Sequence, residues 1–325
     1  MLKQVIITNY RGESVVYRIA DCQTNIYGDE TWNPPEASGL IITEIDGLGP
    51  VKANINMTEL TTTDGGIFNS ARLVGRNIVI KALFVHASSI EEARLMSYKF
   101  FPIKKKVTIK VITDNRTVQT TGYVESNEPD IFSDECACQI SILCESAFFD
   151  AAGDDAEQII RFSSTIPLFR FPFGNPDLTQ KLIKMGEFVS RRDNVVVYNG
   201  DSETGFTFKI HIYGNVASKL TVYNVDADQK IAIDPSKIPQ IPELSTAEPQ
   251  FVNGDEIDIC TIVGRKSISL YREGIKYNIL NLLDKNSEWF LISNGRNRFV
   301  YETENELEES RVEMIIVAGI IYDGV

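Results

Sequence analysis

Histidine is nearly absent: His86 and His211 are the only two in 325 residues. That leaves no donors for a histidine-rich metal site. Neither residue has a Ser or Cys partner at a spacing that nucleophilic catalysis uses. Tryptophan is as scarce, with Trp32 and Trp289 alone, so an aromatic platform for stacking sugars has little to draw on. The five cysteines (Cys22, Cys136, Cys138, Cys144, Cys260) are odd in number, and their C-A-C-x5-C cluster lacks the knuckle spacing of structural zinc. They read as reduced thiols filling apolar space, as expected of a chain that folds inside a cell. Positive charge is in deficit: 32 Lys and Arg against 45 Asp and Glu give a net charge of −13. That argues against a protein whose main work is neutralising phosphates. Long apolar runs are missing too. Met314–Ile321 falls far short of the roughly 20 residues of a spanning helix. Met1–Asn9 has neither the apolar core nor the cleavage site of a signal peptide. The expectation is a chain folded in a cytoplasm without a membrane anchor.

What is present is β-forming. Hydrophobic residues make up 43% and aromatics 10%, so the acidity is not that of a disordered chain. Val15–Ile19, Asn77–Phe84, Val107–Ile112, Gln139–Leu143, Phe206–Tyr213 and Ser267–Leu270 alternate or run apolar with many β-branched residues, which predicts strands. One helix stands out. Ser89 and Glu92 form a capping box. Ile90, Ala93, Met96 and Phe100 then recur at helical spacing, and Pro102 ends it. Length alone suggests two domains. The small, acidic stretch 151–156 marks a boundary, predicting domains at 1–150 and 151–325. Asp234–Pro249 carries four prolines and reads as a surface loop inside an insertion spanning about 226–251.

Enzyme signatures are missing: G-x-S-x-G, G-x4-G-K-[ST], H-E-x2-H and paired C-x2-C do not occur. Asn224-Val225-Asp226-Ala227-Asp228 alternates oxygen ligands as a calcium loop does. It lacks that loop's next glycine and its closing glutamate, and it reads as a polar turn. The chain is read as a non-enzyme with no catalytic, cofactor or metal site.

Two blocks carry a family resemblance. The first runs Gly47-Leu48-Gly49-Pro50, Asp64-Gly65, then Arg72 to Ile80, followed by Ser89-Ile90-Glu91-Glu92-Ala93-Arg94 and Lys104-Lys105-Lys106-Val107. The second runs Asn253-Gly254-Asp255-Glu256-Ile257, Gly264-Arg265-Lys266-Ser267, Asn278-Ile279-Leu280, Ser287-Glu288-Trp289, Gly295-Arg296-Asn297 and the closing Tyr322-Asp323-Gly324-Val325. Together they resemble the phage distal tail proteins, components of the tail tip or baseplate of phages and phage-tail-like particles.

The resemblance implies a mainly β fold. An N-terminal β-sandwich or barrel-like ring domain, with one α-helix and an extended hairpin, is followed by a C-terminal galectin-like β-sandwich. It implies a structural protein forming a homohexameric ring at the distal end of the tail tube, made in the bacterial host cytoplasm and assembled in the tail. Implied partners are the tail tube protein, the baseplate hub or tail-associated protein, and receptor-binding proteins on the outer domain. DNA passes only as transient cargo, which the net negative charge would let slide. The alternative reading is a β-sandwich that binds host cell-wall sugars, although fold alone does not confer that function.

Residues 51–70 are expected to form a hairpin or loop reaching a neighbouring subunit, with Thr58, Thr61, Thr62 and Thr63 at the contact. Arg72 and Arg76 are expected to form salt bridges across the ring interface, and Lys104, Lys105 and Lys106 to touch an acidic neighbour or DNA. The alternating pattern by itself assigns the last strand to neither domain.

Overall fold

The computed structural model describes residues 2–19, 40–60, 64–84, 89–130, 137–153, 156–167, 186–190 and 193–325. The chain divides into two compact units. The first is Met1–Ala156 together with Ile321–Val325, and the second is Glu157–Ile320.

The first unit contains β1 (Leu2–Thr8), β2 (Ser14–Ile19), β3 (Leu40–Asp46), β4 (Ala53–Glu59), β5 (Gly66–Leu73) and β6 (Asn77–Phe84). The helix α1 (Ile90–Phe100) follows, then β7 (Lys106–Thr113), β8 (Thr117–Pro129), β9 (Ala137–Cys144) and β10 (Phe149–Ala151). Nine strands make one sheet in the order β23-β10-β8-β7-β1-β2-β3-β6-β9, where β23 is Ile321–Tyr322. The long β8 pairs with β7 through its first half and with β9 through its second. Both ends of the β7-to-β9 ladder therefore meet on one strand, which makes the unit barrel-like.

Alternation sends Val5, Ile7, Ile78, Ile80, Val107, Ile109, Val111, Ile140 and Ile142 inward to one core. Helix α1 plugs that core with Ala93 and Phe100. Its N-cap is Ser89, as expected, with Ser89 Oγ accepting the Glu92 N–H at 3.2 Å. Tyr322 packs on the same core, so the returning segment completes the first unit.

The second unit holds β11 (Glu157–Arg161), β12 (Ser163–Pro167), β13 (Gly186–Ser190), β14 (Asp193–Tyr198), β15 (Phe206–Ile212), β16 (Leu220–Asn224) and β17 (Gln229–Ile233). After these come β18 (Glu256–Cys260), β19 (Ser267–Arg272), β20 (Ile275–Asn278), β21 (Gly295–Thr303), the one-turn helix α2 (Glu306–Glu309) and β22 (Val312–Gly319). A six-stranded sheet, β11-β22-β15-β18-β19-β20, and a four-stranded sheet, β14-β21-β16-β17, form an antiparallel β-sandwich. Phe206 and Phe208 of β15 meet Phe299 of β21 and Phe290 at ring-centroid separations of 5.5–6.0 Å, all four buried. Such aromatic contacts add to the area they bury.

The Asp234–Pro249 stretch is a surface segment anchored from beneath: Pro235, Ile238, Ile241 and Leu244 are buried, while Ser236, Gln240, Glu243 and Ser245 stay exposed. Pro235 and Pro242 begin 3-10 turns, where a missing N–H costs nothing.

Candidate functional site

Among the described residues the hairpin β4–β5 pairs only with itself. It runs in register from Ala53↔Leu73 to Glu59↔Gly66, with a bulge that leaves Asn69 unpaired. Antiparallel partners share a face, so Ile55, Ala71, Met57, Phe68 and Leu73 line one side. Asn54, Arg72, Asn56, Ser70, Thr58 and Ile67 line the other. Asn69 reaches across to Thr58, Nδ2 donating to Oγ1 at 2.7 Å. The apolar side is open: Ile55 is 57% exposed, Met57 54% and Phe68 61%. A lone two-stranded ribbon is marginal in water, and a contiguous exposed apolar stripe is the kind of surface on which proteins meet partners.

The roots of the hairpin are tightly built. Gly47 has φ +88, and a Cβ there would lie 2.1 Å from the Asn77 carbonyl oxygen. At Gly75 a Cβ would lie 2.5 Å from the Cys144 oxygen. Arg76 follows directly and is only 1% exposed. Its Nη1 donates to the carbonyls of Gly47 and Gly49, and its Nη2 to those of Ala147, at 2.8 Å, and Asp323, at 2.6 Å. Its cation sits 4.1 Å over the Phe149 ring.

Arg76 is therefore not the interface charge expected from the sequence. It is an internal clamp, and burial lowers its pKa from the ordinary arginine value. Arg72 and Thr58 do lie exposed on the polar side of the hairpin. Thr61, Thr62 and Thr63 lie outside the described residues.

The basic turn sits elsewhere. Lys104 takes φ +64 and donates its N–H to Val124, while Lys105 Nζ lies 5.6 Å over the Tyr10 ring. Lys106 opens β7, and Thr113 closes it beside Leu48, Gly49 and Arg116 at the hairpin root. The eight residues of β7 separate the two features by about 23 Å. The structure does not join the lysines to the hairpin in one site.

In the second unit, the motif residues hold turns. Asp255 is buried and receives Nε and Nη2 of Arg272 at 2.8 and 2.6 Å. It also accepts the Val252 N–H at 2.9 Å. Asn297 ties Ser293 and Gly295. Ser287 bridges the backbone of Ala232. Asn224 accepts the Ala227 N–H, and Asp226 the Arg298 N–H, so the 224–228 segment is a polar turn.

Cys138 and Cys144 are buried. Burial pushes the Cys138 thiol up to about 12 and also raises that of Cys144, away from reactivity. His211 Nδ1 lies 3.4 Å from Glu256, and His86 lies outside the described residues. Among the described residues no group of His, Cys, Asp and Glu is placed to hold a metal ion. No described helix is long and apolar enough to cross a membrane.

A search of solved structures decides the fold. The crystal structure of SPP1 Dit, presented as a paradigm of the hub adsorption apparatus in phages infecting Gram-positive hosts, matches at a TM-score of 0.59. Identity is 9%, and the match covers 97% of this chain and 98% of that one. The chain has the fold of Dit. Two structures of the phage P2 baseplate in its activated conformation are also similar. The one with Ca has a TM-score of 0.42, 16% identity and full coverage of both chains. The one with Sr has 0.41, 16% and 99% coverage of both. No protein-family model and no curated protein sequence matches. The Dit fold accounts for the mainly β class and for the course of the chain through both units.

Proposed function

We propose that this chain is a structural component of a phage tail or tail-like particle. Six copies form a ring at the distal end of the tail tube and join the tube to the hub and adsorption apparatus around a channel. The observation that carries the reading is the β4–β5 hairpin, an amphipathic ribbon whose apolar side is more than half exposed at Ile55, Met57 and Phe68. The first unit presents this stripe at one end of β7 and a basic turn at the other. A head-to-tail contact between different surfaces of identical chains closes into a ring when its rotation returns to the first copy.

The likeness to SPP1 Dit supports the placement at a tail tip, as do the residue blocks that resemble distal tail proteins. The net charge of −13 suits a wall past which DNA slides without sticking. The tail tube protein and the hub are the partners this reading requires, with receptor-binding proteins on the second unit. Native mass spectrometry of the purified chain tests it. A closed species of six copies supports the reading, and a monomer at every concentration overturns it.

A further inference from the structure

The hairpin is fixed to the body of the first unit by residues from opposite ends of the sequence. Arg76 and Asp323 are 247 positions apart and joined by a 2.6 Å hydrogen bond. Arg76 leaves β5, and the carbonyls of Gly47 and Gly49 precede β4, so one guanidinium holds both roots of the hairpin. The same group holds the returning segment through Asp323, and the Ala147 carbonyl before β10.

A second arginine repeats the grip. Arg116 stacks on Tyr322 at 4.2 Å and donates to the Gly324 carbonyl at 3.2 Å. The Val325 N–H returns to the Leu48 carbonyl at 3.1 Å. Gly324 lies so close to Leu48, Gly49 and Pro50 that a Cβ would approach them to 3.1–3.3 Å. Among the described residues the hydrogen bonds of Arg76 go to four backbone carbonyls and its face to the Phe149 ring, and the Asp323 charge adds a coulombic attraction.

We propose that Arg76, Arg116 and the segment Tyr322–Val325 are a positioning clamp that sets the angle at which the β4–β5 hairpin leaves the first unit. Its use rests on the hairpin being the assembly surface. The segment follows directly on Ile320, the last residue of the second unit, so the chain leaving that unit enters the clamp. Occupancy of the clamp and the pose of the hairpin are then linked equilibria: whatever displaces the segment frees the hairpin, and whatever grips the hairpin tightens the segment.

Double electron–electron resonance tests this on the full chain. Bio-orthogonal spin labels replace Thr58, on the hairpin, and Tyr98, exposed on α1. A Phe68→Asp background keeps the chain monomeric, so the result does not depend on ring formation. Arg116→Ala removes the grip on Tyr322 and Gly324 while leaving the buried Arg76 in place. Arg76→Lys keeps the charge but cannot reach four carbonyls.

The expected result is one narrow distance for the parent and a distribution roughly twofold broader for both variants, with unit-two melting unchanged. An unchanged width in both variants overturns the clamp. Broadening with Arg76→Lys alone also overturns it, because Arg116 and its grip on Tyr322 and Gly324 would then play no part. Broadening in both variants, with no ring formed by the parent without Phe68→Asp, sustains the clamp and overturns the assembly reading.

Discussion

Arg272 grips Asp255 through two parallel hydrogen bonds, and the Asp255 side chain has no exposed surface. Each partner also holds backbone: Arg272 the Gln250 carbonyl and Asp255 the Val252 N–H. The pair pins the turn that enters β18, so the N-G-D-E-I run is a fold-holding motif.

Removing one partner of a buried pair strands the other charge, at a cost of about 3–5 kcal/mol. Asp255→Ala is therefore expected to destabilise the second unit by that amount in urea unfolding. Asp255→Asn keeps the shape and one acceptor oxygen but loses the charge and the second acceptor, and is expected to fall between the parent and the alanine variant.

Gly47 and Gly12 share a positive φ, +88 and +82, but differ in space. Beside Gly47 an added Cβ meets the Asn77 oxygen, and beside Gly12 it meets nothing within 4 Å. Gly12→Ala should cost only the left-handed penalty, about 1 kcal/mol. Gly47→Ala should cost at least about 2 kcal/mol, because the hairpin root must also shift. Thermal melting of the two variants side by side measures the difference.

Asp284 accepts the Asn286 N–H and pairs with Lys219, which together hold its carboxyl down to about 2, from 3.8. A carboxyl depressed on folding adds stability that is full above its unfolded value and is lost as pH falls through the folded one. The second unit should thus lose stability from about pH 4 down to about pH 2. An Asp284→Asn variant should melt lower at neutral pH and show a shallower decline over that window.

Much of the first unit is legible in the chain itself. The run Asn77–Phe84 alternates and is β6. Ser89 and Glu92 announce α1, and the helix starts there. Period and capping are local properties, so they survive without tertiary context. The clamp is not local. Nothing within a dozen residues of Arg76 signals four carbonyls drawn from positions 47, 49, 147 and 323, and an arginine after a strand is ordinarily exposed.

The run 51–70 reads as a hairpin or a loop, and its threonines are the contact residues the sequence suggests. The stronger signal is apolar: Ile55, Met57 and Phe68 share one side of a ribbon that pairs with no other described strand. In the Asp234–Pro249 stretch, the prolines masked Ile238, Ile241 and Leu244, whose burial depends on the neighbouring strands of the sandwich.

The hairpin stripe is where the functional reading stands or falls. Met57 and Phe68 face each other at its centre, and both are exposed in the single chain. Charging them should abolish assembly while leaving the body of the unit, whose core they do not touch, as stable as before. The direct test is native mass spectrometry of the Met57→Asp, Phe68→Asp double variant beside the parent. The predicted result is a six-copy species for the parent and a monomer with an unchanged melting temperature for the variant. A variant that still forms the parent's oligomer would contradict it.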